Sequence, residues 1–378
     1  MTDNEPILLL PGPLTTPREV KEAMLCDIDP WSVEYGAYTQ RLMRRLAALI
    51  HAGEEFACLP VPGPGTCGVE AMIGTLIPES GITLCLVNGH YSRQIRDTIV
   101  KSGRQVVELA VADGSVATAE MVDAKLGEHP EVTHVSAIHC ETVTSALAPL
   151  EQIAAVVEDR GRSFLVDAIS TFGGVEIDAR RMRFDGMVAN ATKCLESTPG
   201  MAFVFCRKSV LRKCAHHSSS LSLDLYRTWR VFEEHNSWRM TPPVQCIAAM
   251  EKALDLLDAE GGVAARAARY RRNRDLVVNR LRDYGFTTLV EDAWLSPIIV
   301  SFHCPIDEKF DLPDLIKRMR AAGYVFSRGK TEGAVTFRVA CIGRITADDL
   351  DDFLTLLIGE IDAAGVTDLR PENLRAAS

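Results

Sequence analysis

The chain has 378 residues, 47% of them hydrophobic, and a formal net charge of −10. That length and apolar content support a large core, arranged as two domains or as one large domain with a smaller one appended. Scattered basic residues lack the footprint of a nucleic-acid binder and no apolar run reaches membrane-span length. The eleven cysteines, an odd number with no C-x-x-C pair, read as reduced, mostly buried thiols of a cytoplasmic protein rather than as disulfide or zinc chemistry.

The N-terminus, Met1-Thr2-Asp3-Asn4-Glu5, is acidic and lacks a signal-peptide n-region. Leu8-Leu9-Leu10 before Pro11-Gly12-Pro13 reads as a short strand or extended arm entering a turn. Between Tyr38 and Ile50, the residues Leu42, Met43, Leu46, Leu49 and Ile50 form a helical stripe. Seven short apolar runs follow: Phe56–Val61, Thr83–Val87, Gln105–Leu109, Val132–Ile138, Ser163–Val166, Gly186–Ala189 and Ala202–Cys206. Helical stretches such as Val69–Leu76 and Gln94–Lys101 alternate with them, which predicts an α/β domain with a mostly parallel sheet. His216-His217 reads as a polar loop. A helix is expected over Pro243–Ala259, ended by Gly261-Gly262, and a basic helix over Ala264–Arg282. Strands near Pro297–His303 and Val335–Val339 complete a smaller α+β domain. The expected division is an arm (residues 1–20), a large domain (21–250) and a small C-terminal domain (251–378).

Gly63-Pro64-Gly65-Thr66-Cys67-Gly68 formally matches G-x-G-x-x-G, so a nicotinamide-dependent dehydrogenase is a rival reading. Two features weigh against it. The ribose-binding acidic residue should fall about 20 residues on, where Val87-Asn88-Gly89 stands, and the match is not in the first βα turn. Either way, a glycine-rich turn opening a helix offers N–H groups and a positive dipole end to a phosphate.

Lys193 lies between two apolar strand-like runs, and Asp167 ends the run before them. A lysine in that place must pair its charge or lose it. With an aspartate at a neighbouring strand tip, this is the arrangement a pyridoxal phosphate enzyme needs: the amine binds the cofactor's aldehyde and the carboxylate pairs with the pyridinium nitrogen. In Val335-Thr336-Phe337-Arg338-Val339 the apolar residues share one face, and Thr336 and Arg338 take the other. That pattern leaves open a solvated edge strand or an anion-binding guanidinium. An α/β binding protein without chemistry is a third reading, disfavoured by the presence of both Lys193 and Asp167.

Gly63–Thr66, Asp167 and Lys193 together resemble a fold-type I pyridoxal phosphate enzyme. Further stretches narrow this: Pro11-Gly12-Pro13-Leu14-Thr15-Thr16, His139-Cys140-Glu141-Thr142, Val166-Asp167-Ala168-Ile169-Ser170-Thr171-Phe172-Gly173-Gly174, Lys193-Cys194-Leu195, Ser220-Leu221-Ser222-Leu223-Asp224-Leu225-Tyr226, Thr241-Pro242-Pro243, Gly261-Gly262-Val263-Ala264-Ala265-Arg266 and Ser296-Pro297-Ile298-Ile299. From about residue 7 to residue 357 the chain resembles the 2-aminoethylphosphonate–pyruvate aminotransferases. The aspartate–lysine pair is shared with alanine–glyoxylate and serine–pyruvate aminotransferases, which stand as the alternative within the class. The resemblance implies that Lys193 carries the cofactor, Asp167 holds its ring nitrogen, and Gly65 and Thr66 cradle its phosphate. It further implies that Tyr91 stacks on the ring, Thr142 lies near the phenolic oxygen, and Arg338 binds the substrate's acidic group. Thr241 would reach the phosphate of a neighbouring subunit, which implies a homodimer. Two departures from the family pattern, Thr192 before the lysine and Glu196-Ser197-Thr198 after it, are expected close to the cofactor.

Overall fold

The computed structural model describes residues 5–371; Met1–Asn4 lie outside them, as do the last residues of the expected small domain. Seven strands form one sheet: β1 (Phe56–Pro62), β2 (Ile82–Val87), β3 (Gln105–Ala110), β4 (His134–Ile138), β5 (Ser163–Asp167), β6 (Gly186–Asn190) and β7 (Met201–Arg207). Each of the seven apolar runs became one of these strands. Their spatial order is β3-β2-β4-β5-β6-β7-β1. Neighbours pair in parallel from β3 to β6, and β7 runs antiparallel to both β6 and β1. Six strands therefore share one direction, and β7 alone opposes them. Residues of β4, β5 and β6 are buried on both faces, because helices cover both sides.

This order removes the dinucleotide reading of Gly63–Gly68. A Rossmann fingerprint joins two strands that lie side by side, whereas β1 and β2 are separated by β7, β6, β5 and β4. Asn88, at the position of the ribose-binding acid, is buried, and its backbone N–H donates to Ser92 Oγ (2.9 Å).

Two apolar cores flank the sheet, one on each face. A third, containing Phe286, Phe302, Phe337 and Phe353, lies in the C-terminal part. There β8 (Ile299–His303), β9 (Ser327–Arg328) and β10 (Thr336–Ala340) form an antiparallel sheet in the order β8-β10-β9. The two-residue β9 had no detectable sequence period. It makes β10 the central strand, and the polar face carrying Thr336 and Arg338 is buried rather than solvated, with Arg338 turned to the Thr142 carbonyl of the large domain. The arm contributes only Ile7–Leu8, shorter than the leucine run suggested, paired in parallel with Tyr324–Val325.

The Val244–Glu260 helix belongs to the first core through Leu257, so residue 250 falls in its middle. It ends at Gly261 (φ +106°) and Gly262 (φ +77°), two successive left-handed positions that glycine takes without steric cost. The chain then enters the Gly262–Tyr284 helix, which runs from beside the large sheet into the C-terminal core. The two parts also meet at residues 143–146. Ser301 donates from Oγ to the Val143 carbonyl (3.0 Å) and from N to Ser145 Oγ (2.8 Å).

Helices begin earlier than their apolar stripes. The helix expected from Val69 spans Gly65–Leu76, and that expected from Gln94 spans His90–Lys101. Gly68 lets the first of these lie close on the sheet: a Cβ there would stand 2.8 Å from Val188 Cγ1 and 3.1 Å from Ala202 Cβ. Gly68→Ala should therefore lift the helix off β6 and β7 at a cost of about 1–3 kcal/mol. Thermal denaturation of the cofactor-free protein checks this; an unchanged midpoint would contradict so close a packing.

Candidate active site

Because β1, β2, β4, β5 and β6 run the same way, their C-terminal ends open on one edge of the sheet, where ligands of open α/β sheets bind. A cavity of about 410 Å³ lies there. The end of β1 delivers Gly63, Gly65 and Thr66, the helix after β2 delivers Tyr91, and the segment after β4 delivers Thr142. Asp167 ends β5, and Lys193 sits in the turn after β6. Six of the eight site residues taken from the sequence thus line one cavity. Thr241 does not; it is exposed, before the Val244–Glu260 helix. Arg338 is not on the wall either, but its Nη1 donates to the carbonyl of the wall residue Thr142 (3.1 Å).

Lys193 has its side chain packed on Gly12, where a Cβ would lie 2.9 Å from both Nζ and Cδ. The Pro11-Gly12-Pro13 turn thus covers the lysine, a role its sequence did not disclose. Lys193 makes no ion pair among the described residues. Burial lowers its pKa to about 8, with the nearby Arg338 charge adding to the effect and Asp167 opposing it. Asp167 is 8% exposed and accepts a hydrogen bond from the Ile169 N–H (2.8 Å). Burial raises its pKa to about 6, against the pull of that N–H and of Lys193.

At the other end, Pro64 caps the Gly65–Leu76 helix without a side-chain acceptor, which leaves first-turn N–H groups open to an anion. A Cβ at Gly65 would stand 2.6 Å from Ile169 Cδ1, so a side chain there would crowd the cavity wall. Thr192 lines the cavity as expected, and its N and Oγ1 both donate to Asn190 Oδ1 (2.8 and 2.5 Å). Glu196, Ser197 and Thr198 do not line it. They are buried behind the lysine turn, so their expected closeness to the cofactor is corrected.

Glu141 organises the wall, though sequence gave it no role. Fully buried, it accepts from the N–H groups of Tyr91 (2.9 Å), Ser92 (3.1 Å) and Val143 (3.2 Å). One carboxylate thereby caps the helix that carries Tyr91 and braces the loop that carries Thr142; burial raises its pKa to about 7. Leaving those N–H groups without an acceptor would cost about 1–3 kcal/mol each. Thr142 Oγ1 lies 3.1 Å from Ser170 Oγ. Cys194 is inert packing, its thiol donating to the Ser170 carbonyl (3.1 Å) with its pKa driven up by burial.

Arg338 is 8% exposed, has no ion-pair partner among the described residues, and its Nε lacks any hydrogen-bond partner. A buried guanidinium in this state costs several kcal/mol unless a ligand supplies the anion. The cavity edge therefore has groups that would fit pyridoxal phosphate: an amine for its aldehyde, a carboxylate for the ring nitrogen and an open helix N-terminus for the phosphate; beside them stands an unpaired cation.

The lowered pKa of Lys193 carries a testable sign. Below pH 8 the ammonium is the main form and cannot attack an aldehyde. Its rate of modification by a small aldehyde in cofactor-free protein should rise about tenfold per pH unit up to about pH 8 and then level off. A rise continuing to pH 10 would mean an ordinary, solvated lysine.

Comparison with known proteins agrees with this geometry. A family profile described as Aminotransferase class-V matches residues 46–322. A 2-aminoethylphosphonate–pyruvate transaminase of Cupriavidus necator is 41% identical over 358 residues, 95% of each chain. A protein of the same name from Rhizobium meliloti is 42% identical, covering 90% of this chain and 89% of its own. Among solved structures, an alanine–glyoxylate aminotransferase from Nostoc sp. superposes with a TM-score of 0.88 at 22% identity, covering 95% of this chain and 96% of that one, which speaks for the fold. No described helix is long and apolar enough to cross a membrane. With the profile spanning most of the chain and the catalytic edge built as described, this protein belongs to the class-V aminotransferases, which work with pyridoxal phosphate.

Proposed function

We propose that this chain transfers the amino group of 2-aminoethylphosphonate to pyruvate, giving phosphonoacetaldehyde and L-alanine. The observation that carries the reading is Arg338: a buried, unpaired guanidinium at the cavity edge, in a chain about 40% identical over nearly its whole length to transaminases of that name. Its planar fork suits a phosphonate or carboxylate oxygen pair, so one group can receive donor and acceptor in turn.

Bound pyridoxal phosphate supplies the electron sink that stabilises negative charge on the amine-bearing carbon. The chain's own residues do the rest. Gly65 and Thr66 hold the phosphate with N–H groups and a hydroxyl. The Asp167 carboxylate would pair with the ring nitrogen and keep it protonated. With a pKa near 6 before any cation arrives, it is ionised at neutral pH, and a pyridinium opposite lowers it further. Tyr91 supports the ring plane and Thr142 offers a hydroxyl toward the phenolic oxygen. Lys193 Nζ, whose pKa lies near working pH, binds the cofactor and moves the proton to and from the donor's amine-bearing carbon.

The working unit is a homodimer in this reading, with Thr241 reaching the partner subunit's phosphate site. Its exposure on this chain supports that, as does the exposed apolar surface beside it. Met240 is 40% and Leu25 86% exposed, and Gln245 ties their segments together by donating to the Cys26 carbonyl (3.4 Å). The protein is expected in the cytoplasm.

Alanine formation from pyruvate with a panel of donors tests the reading. 2-Aminoethylphosphonate should be preferred to serine and glutamate, and Lys193→Ala should abolish both turnover and the visible absorption of bound cofactor. Arg338→Gln should weaken donor use by about 2–5 kcal/mol, appearing mainly in KM. Equal rates with serine or glutamate would sink the substrate assignment, whereas a colourless wild-type protein would sink the cofactor chemistry.

A further inference from the structure

The turn carrying Lys193 is gripped from behind by a buried polar network. Glu196 N donates to the Lys193 carbonyl (2.9 Å) and Ser197 N to the Ala191 carbonyl (3.0 Å), which closes the turn. Glu196 itself has φ +56°, a left-handed conformation that non-glycine residues hold only when their surroundings enforce it. Its side chain is 3% exposed and points away from the cavity, into the Gly262–Tyr284 helix. There its Oε1 accepts from Tyr270 Oη (2.6 Å) and Arg269 Nη2 (2.8 Å), while Arg266 lies at 3.8 Å. Arg266 also donates to the carbonyl of Cys194 (2.9 Å), the residue next to Lys193. Glu260 binds both arginines, so two carboxylates and two guanidiniums balance, and Arg269 reaches on to the Gly343 carbonyl (2.7 Å).

We propose that Glu196 is a positioning residue for Lys193: through Tyr270, Arg269 and Arg266 it locks the lysine turn to the Gly262–Tyr284 helix and holds Nζ in its reactive orientation, packed against Gly12. The helix grips the turn at two points, the carbonyl of residue 194 and the side chain of residue 196. Only the stretch that leads out of Lys193 is held this way. Glu196 does not touch the cavity, so it acts through Lys193 and not on substrate. Released from the network, the turn would lose the enforced conformation, and water would reach Nζ and favour its charged form.

The proposal rests on Lys193 being the cofactor lysine and is independent of which amine is the donor. Its test compares holoenzymes of wild type, Glu196→Ala, Glu196→Gly, Glu196→Gln and Tyr270→Phe. The first readout is the pH midpoint at which the visible band of the lysine-linked cofactor changes; the second is kcat and KM. Glu196→Gly tolerates the left-handed backbone but lacks the tether, and should behave like Glu196→Ala. In both, the midpoint should move upward by about half a pH unit or more, because looser packing favours the protonated form. In both, kcat should fall roughly ten- to hundredfold with KM little changed, as expected when the reacting atom is misplaced. Glu196→Gln, which keeps an acceptor for Tyr270, should recover most of kcat, and Tyr270→Phe should shift both readouts in the same direction by less. A wild-type midpoint and kcat in Glu196→Ala and Glu196→Gly, with only the thermal midpoint reduced, would overturn the proposal. If neither variant folds, wild-type values in Tyr270→Phe overturn it instead. A wild-type protein lacking a band that depends on Lys193 would fail the cofactor reading, a separate outcome.

Discussion

A lysine and an aspartate share one buried cavity without forming an ion pair, and the rest of the molecule serves that separation. Had Lys193 and Asp167 closed on each other, each would have neutralised the other and neither would be available to a third group. Burial is the largest influence on their states: it brings the lysine down to about 8 and the aspartate up to about 6. Each charge is disfavoured until a ring nitrogen and an aldehyde arrive between them. The rigidity needed to hold them apart comes from the sheet, since Asp167 ends β5 and the lysine turn follows β6, two strands paired in parallel and buried on both faces.

The other groups reach this edge from different structural origins, and that explains the joint between the two parts of the chain. Arg338 sits on β10 of the C-terminal sheet, between the core residues Phe337 and Val339, yet donates to the carbonyl of Thr142 on the cavity wall. Glu141 holds the Tyr91 helix and the loop after Thr142 with one carboxylate. The Gly262–Tyr284 helix runs into the C-terminal core and grips the lysine turn. A shift of the C-terminal part relative to the sheet would therefore move the substrate cation, the ring platform and the amine together.

The large sheet was legible because parallel strands buried on both faces read as continuous apolar runs, and all seven runs became strands. Lys193 and Asp167 were legible because a charged residue at a buried strand end demands a reason. Helix starts were not: Gly65 and His90 open their helices for the sake of the site, upstream of any apolar stripe. The burial of Arg338 was not legible either, because the group it meets, the Thr142 carbonyl, lies almost two hundred residues away in the chain. Glu141 was invisible for a different reason. A carboxylate that binds N–H groups fifty residues earlier leaves no spacing to detect, and only its place in the His139–Thr142 family stretch hinted at it.

The charges around the cavity also constrain what can bind. In the proposed reading Asp167 would pair with the ring nitrogen, and the Glu141 carboxylate is occupied by three backbone N–H groups. Glu196 and Glu260 are matched by Arg266 and Arg269 behind the lysine turn. Among the described residues of this edge, that leaves Arg338 as the unpaired permanent cation, with its Nε unsatisfied. A neutral or cationic amine donor would leave it uncompensated in a low-dielectric setting, at a cost of several kcal/mol. An amine carrying an anionic group removes that penalty on binding. In the proposed reading pyruvate, also an anion, would use the same guanidinium after the aldehyde has left, so that one cation would serve both halves of the transfer.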